Sequence, residues 1–189
     1  MPNLKVIVEA SARHVHVTRE ALSVLFGDGA VLHNKRELSQ PGQYITEEKV
    51  KIQGPRGAID RVSILGPERP AVQVEVSLTD ARALGITAPI RESGDIAGSA
   101  PITVIGPAGT IDLTEGAIAA KRHVHLDPKT AEEYGIKDRD VVSVKVGGDR
   151  GATLHEVVAR VNPAFRPAVH LDIDEANAVS GAAEGEIIK

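Results

Sequence analysis

Two copies of one short word carry most of the chemistry that this sequence could perform. Arg13-His14-Val15-His16 recurs as Arg122-His123-Val124-His125, with the second copy 109 residues after the first (123 − 14). In an extended strand successive side chains point to opposite faces, so each His-x-His pair sets two imidazoles on one side and a valine on the other. Four imidazoles on two similar strands form a ligand set for one or two metal ions held between similar halves. The sequence contains no cysteine, which removes thiolate ligands and disulfides and leaves His, Asp and Glu as donors. A single His-x-His pair would equally suit a polar strand start in solvent. The repetition of the whole word is what favours a metal.

Short elements with clear punctuation must position these histidines. Residues 4–8 form an apolar, β-branched run leading to the first word. Residues 18–26 read as a helix with Thr18 as N-cap and Gly27 just past its end. Lys35 to Leu38 lead into a turn at Gln40-Pro41-Gly42-Gln43. The runs 48–53 and 59–65 flank Gly54-Pro55-Arg56-Gly57 as a β-hairpin, and 102–105 and 110–113 flank Gly106-Pro107-Ala108-Gly109 as another. Residues 66–70 read as a turn, 71–77 as a half-buried strand, 79–86 as a short helix closed by glycine and 93–99 as a loop. After the second word come a helix over 129–136, a third hairpin from 141–146 and 154–161, a strand over 168–171 and a helix starting at Asp172. Many short strands, a few short helices and two copies of one unit imply a mainly β fold of two small β-barrels related by a pseudo-twofold axis.

Composition narrows the function classes. At 189 residues, with 42% apolar and 25% charged residues and a net charge of −4, the chain suits one large or two small globular domains. Two Phe, two Tyr and no Trp leave no base-stacking platform, and the mild acidity opposes phosphate-backbone binding, so no nucleic-acid partner is expected. No apolar run approaches the roughly 18 residues of a membrane span, and residues 1–5 carry no signal peptide, so no membrane partner and a cytoplasmic location are expected. Neither GxGxxG nor GxxxxGK[ST] follows a strand, which disfavours the common nucleotide folds.

Four separated words, Ser11-Ala12-Arg13-His14-Val15-His16, Gln73-Val74-Glu75-Val76-Ser77, Lys121-Arg122-His123-Val124-His125 and the run from His170 to Ala178, resemble the PduL-type phosphate acyltransferases over essentially the whole chain. These are microcompartment-type enzymes of propanediol degradation. The resemblance implies two β-barrels capped by short helices with a dinuclear zinc site at their interface. It also implies that the first strand packs with the C-terminal barrel, giving domains 1–12 with 121–189, and 13–120. It assigns His14, His16, Glu75, His123, His125 and His170 as ligands of two zinc ions, and Arg69 as the catalytic, phosphate-binding arginine. The same donors also accept cobalt, nickel or manganese. Ser11 and Asn177 match positions near coenzyme A, and Lys35 and Arg36 are loosely matched as contacts for its phosphates.

The implied reaction is reversible transfer of a propanoyl or acetyl group between coenzyme A and inorganic phosphate. With no cysteine and no Ser-His-Asp pattern, direct attack in a ternary complex is expected. The same ligands would also serve a dinuclear hydrolase of thioesters or phosphoesters, or a non-catalytic metal-binding scaffold. A homodimer is the family expectation. The family's N-terminal shell-targeting peptide is missing here, which suits either a free cytosolic version or a trimmed chain, and leaves shell association open. Arg13 and Arg122 face away from the histidines along their strands and read as structural ion pairs, while His33 and His155 read as surface residues.

Overall fold

A computed structural model describes residues 4–188; Met1–Asn3 and Lys189 lie outside the described residues, so the stretch read for a leader is described only from Leu4 onward. The chain divides into two compact units. One holds Ala12–Leu38 and Gly42–Ala120; the other holds the described residues up to Ser11, the tripeptide Ser39–Pro41, and the chain from Lys121 on.

The first of these units contains β2 (His14–His16), α1 (Arg19–Phe26), β3 (Asn34–Glu37), β4 (Tyr44–Gln53), β5 (Ala58–Gly66), β6 (Gln73–Glu75), α2 (Leu78–Leu84), β7 (Ile90–Arg91), β8 (Ala100–Ile105) and β9 (Thr110–Ala120). Six of its strands close a barrel in the order β9-β6-β2-β5-β4-β8, with β3 added to β4 and β7 to β9. The other unit contains β1 (Leu4–Ser11), β10 (His123–Leu126), α3 (Pro128–Glu133), β11 (Val141–Val146), β12 (Ala152–Val161), β13 (Ala168–Asp172), α4 (Ile173–Ala178) and β14 (Glu184–Ile188). Its barrel runs β1-β13-β10-β12-β11-β14 and closes on itself.

The two barrels match junction by junction. Parallel pairing of β9 with β6 and of β2 with β5 has its counterpart in β1 with β13 and β10 with β12, and the remaining junctions are antiparallel in both. The sixth strand of the C-terminal barrel is therefore β1, contributed by the opposite end of the chain.

Alternation explains the cores. Leu4, Val6 and Val8 of β1 and Val142, Val144 and Val146 of β11 point inward, and Val15 and Val124 in the middle of the two histidine words are fully buried. The helices start at side-chain caps. Thr18 accepts from the Ala21 amide and Asp127 from Thr130, while Ser77 and Asp172 form capping boxes with Asp80 and Glu175. The strand expected over 71–77 is shorter, Gln73–Glu75, and wholly buried rather than half-buried. It lies between β2 and β9, and Ser77 has already left it to cap α2. Strands β3, β7 and β14 have no counterpart in the sequence reading.

The two Gly-Pro-x-Gly hairpin turns dock on helix ends. The Arg56 amide donates to the carbonyl of Leu84 at 3.0 Å, and the Ala108 amide donates to that of Leu25 at 3.0 Å. These bonds satisfy carbonyls that a helix C-terminus leaves open. The first glycine of each turn permits the approach, since a Cβ on Gly54 would lie 2.3 Å from Leu84 O and one on Gly106 would lie 2.2 Å from Leu25 O. Gly106→Ala is expected to destabilise the protein by roughly 1–3 kcal/mol, the usual cost of overpacking. Gly147→Ala, where an added Cβ meets nothing within 4 Å, serves as the near-neutral control. Thermal melts of the two variants side by side check this, and equal melting temperatures would contradict it.

Candidate metal centres and phosphate site

Each histidine word places its imidazoles on the face of its strand opposite the core valine. In the first barrel His14 lies directly across from Glu75 on β6. The ligand atoms of His14, His16 and Glu75 all fall within 4.8 Å of one another, and all three residues are buried. His14 Nε2 is 3.5 Å and His16 Nε2 3.7 Å from the Glu75 carboxylate. In the second barrel His123 lies across from His170 on β13, and the ligand atoms of His123, His125 and His170 also gather within 4.8 Å. The six residues expected as metal ligands thus form two clusters of three.

Both clusters suit a divalent cation. A carbonyl can only accept, so the Nδ1–H of His14 donates to Ala12 O at 2.9 Å and that of His123 to Lys121 O at 2.9 Å, the same local contact in both words. His16 Nδ1 faces Leu65 O at 3.4 Å. These contacts fix the tautomer that leaves Nε2 with a lone pair for a metal. His125 Nδ1 is buried with no hydrogen-bond partner among the described residues. Such a group is costly unless something binds it. Imidazole and carboxylate donors without thiolate match zinc and its neighbours in the first transition row.

Burial opposes charge in both clusters, and the carboxylate decides the outcome. Burial works to lower the pKa of His14, but the charge and hydrogen bond of Glu75 outweigh it and leave it raised. Burial likewise works to raise Glu75, yet the facing His14 and His16 hold it well below the usual carboxylate range. His16 is lowered to about 4, chiefly by burial, with the charges of His14 and Arg69 adding to it. His125 has no carboxylate of its own, and burial, then His123 and His170, lower it to about 2. His16 and His125 are therefore neutral and ready to ligate at physiological pH.

A partly buried polar network ties Arg69 to the first cluster. Ser93 Oγ donates to Glu75 Oε1 at 2.8 Å and accepts from Arg69 at 3.1 Å. Gln73 Nε2 reaches Glu75 Oε1 at 2.6 Å and Ser93 Oγ at 2.9 Å, while Gln73 Oε1 accepts from the Gly94 amide at 2.8 Å. The Arg69 amide also donates to Val17 O at 2.8 Å, which pins its turn just beyond His16. Gln73 and Ser93 escaped the sequence reading. Gln73 stands two residues before Glu75, on the same strand face, so period two could have found it; Ser93 comes from a loop with no local signal.

Arg13 and Arg122 make the expected ion pairs. Arg13 Nε meets Asp80 at 2.8 Å and Arg122 Nε meets Glu175 at 2.7 Å. Each acid is the capping-box residue of its helix and lies five residues past the third ligand (80 − 75 and 175 − 170). In both barrels the arginine thereby fastens the His-x-His strand to the strand carrying that ligand.

The remaining expected residues are more scattered. Ser11, half-buried at the end of β1, pairs with Asp172, and Asn177 is exposed on α4. Lys35 and Arg36 are exposed on β3. Near them is Lys49, whose pKa is lowered by burial and then by the charges of Lys35 and Arg61, and whose ammonium donates to Ser63 Oγ at 2.7 Å. Ser63 is the register partner of His14, so this basic group runs across the sheet toward the first cluster. His33 and His155 are exposed, paired with Glu48 and Ser143. No helix among the described residues is long and apolar enough to cross a membrane.

A profile of the phosphate propanoyltransferase family matches residues 7–182. Among similar proteins, one named phosphate propanoyltransferase from Listeria monocytogenes is 48% identical over 184 residues, covering 96% of this chain and 86% of its own. One of the same name from Thermotoga maritima is 51% identical over 174 residues, covering 92% and 83%. Another from Lachnoclostridium phytofermentans is 52% identical over 172 residues, covering 90% and 80%.

The clusters predict how the metal-free protein responds to acid. A histidine with a lowered folded pKa binds its proton more readily when unfolded, so its stabilising contribution is lost as pH falls below the unfolded value. His16 and His125 act this way from 6.5 downward. The raised His14 contributes stability that is fully present below 6.5 and lost only as pH rises through its folded pKa. The lowered Glu75 contributes stability present above 4.5 and lost as pH falls through its folded pKa. Between 6.5 and 4.5 those two contributions are constant, so within the clusters the slope belongs to His16 and His125, opposed by the raised carboxyls of Asp172 and Glu175 on α4 and its cap. The melting temperature of chelator-treated protein is expected to fall across that window and to fall less steeply in His125→Asn. Parallel profiles for the two proteins would contradict this.

Proposed function

The chain belongs to the phosphate propanoyltransferase family, whose reaction is propanoyl-CoA plus phosphate giving propanoyl phosphate plus coenzyme A, and we propose that it carries out this transfer by direct attack of phosphate on the thioester, with Arg69 gripping the phosphate beside the His14–His16–Glu75 cluster. The observation that carries this reading is the chain of contacts from the Arg69 guanidinium through Ser93 to Glu75. A planar guanidinium takes two phosphate oxygens at once. Tethered next to a ligand cluster, it would hold a dianion where a bound cation shares its charge.

A divalent ion held by the His14–His16–Glu75 set would supply Lewis acidity to the thioester carbonyl or to the departing thiolate. We take zinc as that ion, since imidazole and carboxylate in small buried sets favour it. The chain's own residues orient and position. Arg69 fixes the phosphate and converts a bimolecular encounter into a positioned one. Ser93 and Gln73 hold the Glu75 carboxylate in one rotamer. A phosphate oxygen forms the new bond to the carbonyl carbon, the C–S bond breaks as the tetrahedral adduct collapses, and the proton carried by the phosphate ends on the coenzyme A thiol. With no cysteine in the chain, no acyl-thioester with the protein is formed. Lys35, Arg36 and Lys49 supply the positive field for the phosphates of coenzyme A.

Thiol release from propanoyl-CoA should require inorganic phosphate; release at an undiminished rate without it would assign the same ligands to hydrolysis instead. Arg69→Ala is expected to raise the phosphate KM roughly 10- to 100-fold, the worth of a charge-assisted bidentate contact. The KM for propanoyl-CoA should stay within a few-fold. Unaltered phosphate kinetics in that variant would remove Arg69 from the site. The paired change Lys35→Glu with Arg36→Glu should do the reverse, raising the propanoyl-CoA KM and sparing that of phosphate.

A further inference from the structure

The two barrels match strand for strand, but their carboxylates do not. The third ligand is a carboxylate, Glu75, in one cluster and an imidazole, His170, in the other. One strand further across, the difference is reversed. Glu75 pairs in parallel with Ile118 of β9, whereas His170 pairs in parallel with Glu9 of β1. Ile118 and Glu9 are 109 residues apart (118 − 9), the offset that also separates the two histidine words, so they occupy equivalent places. Each cluster therefore has one carboxylate in its row, displaced by a single strand between the barrels.

Glu9 is held in place. Its Oε2 lies 3.7 Å from His170 Nε2 and accepts a hydrogen bond from Ser39 Oγ. Ser39 belongs to the tripeptide that groups with this barrel. The next residue, Gln40, is buried and forms a reciprocal pair with the Arg166 backbone, Nε2 to O at 3.1 Å and N to Oε1 at 3.1 Å. Beside Arg166, the Phe165 ring packs on His125 with centroids 4.2 Å apart. One short segment thus fixes Glu9 against His170 and also anchors the loop that backs His125.

We propose that Glu9 is the charge-balancing carboxylate of the three-histidine cluster, a positioning residue that steadies His170 and offsets the charge of a cation bound by three neutral imidazoles. The inference rests on reading His123, His125 and His170 as metal ligands. In the other cluster Glu75 fills that role from within the ligand set. Here the equivalent strand position carries an imidazole, and the carboxylate stands one strand further across, 3.7 Å from His170 Nε2.

The test is a titration of metal-stripped protein with Co(II), followed by d–d absorption and by competition with a chromogenic chelator. Wild type should bind two equivalents. Glu9→Gln, which keeps size and removes charge, should weaken one equivalent by roughly 10- to 100-fold, as loss of a partner behind a ligand usually does. The other equivalent should be unchanged. Repeating the measurement with His14→Ala in both proteins leaves only the three-histidine cluster to load and identifies the equivalent affected. Wild-type affinity at both equivalents in Glu9→Gln would overturn the role of Glu9. A His14→Ala protein that binds no equivalent would instead overturn the metal reading of the second cluster, and the inference with it. Far-UV circular dichroism and melting of metal-free Glu9→Gln, expected to match wild type, separate a binding defect from misfolding.

Discussion

Everything at these sites depends on a valine between two histidines. Val15 and Val124 are fully buried in their barrel cores, and a strand's period of two then forces the flanking imidazoles to the opposite face. A slip of one residue in β2 or β10 would put two histidines into an apolar core, where each would lack both water and a partner. The register that fills the core is therefore the register that assembles the ligands. Arg13 and Arg122 add a second lock, since each bonds the capping-box acid of the helix that follows the third-ligand strand. Ligand spacing is set by core packing and helix capping together, not by contacts among the imidazoles alone.

That dependence explains what could be read from the chain. The histidine words, the two Gly-Pro-x-Gly turns and the helix caps are local patterns, and local patterns survive in sequence. The third ligands were harder to read. Glu75 and His170 differ in type and stand 95 residues apart (170 − 75), not 109, because the connections within the two barrels differ in length. No internal comparison of the sequence aligns them, and they entered through the family resemblance. Ser93 and Glu9 had no signal at all, since what brings them to the clusters is a loop and a parallel strand register, each joining distant segments. Strand β14 carries little strand signal, because two of its five residues, Glu184 and Glu186, are charged and only Ile187 goes deep into the core.

The chain's order gives the second cluster a different assembly history from the first. His14, His16 and Glu75 all come from the strands of one barrel unit, Ala12–Leu38 and Gly42–Ala120. The other row takes Glu9 from the N-terminal strand, Ser39 from an excursion, and its histidines from positions 123, 125 and 170. Without β1 the C-terminal barrel has an open edge between β13 and β14, so the strand that completes the hydrogen-bonded ring is also the one that delivers the carboxylate. Such long-range pairing carries a larger loop-closure cost than a hairpin and gains its contacts only late. Three clustered imidazoles bring no negative charge to a bound cation. In the first cluster Glu75 supplies it from the middle of its own barrel. In the second, the offsetting charge arrives on the closing strand, which ties competence of the site to closure of the barrel and not merely to the presence of its histidines.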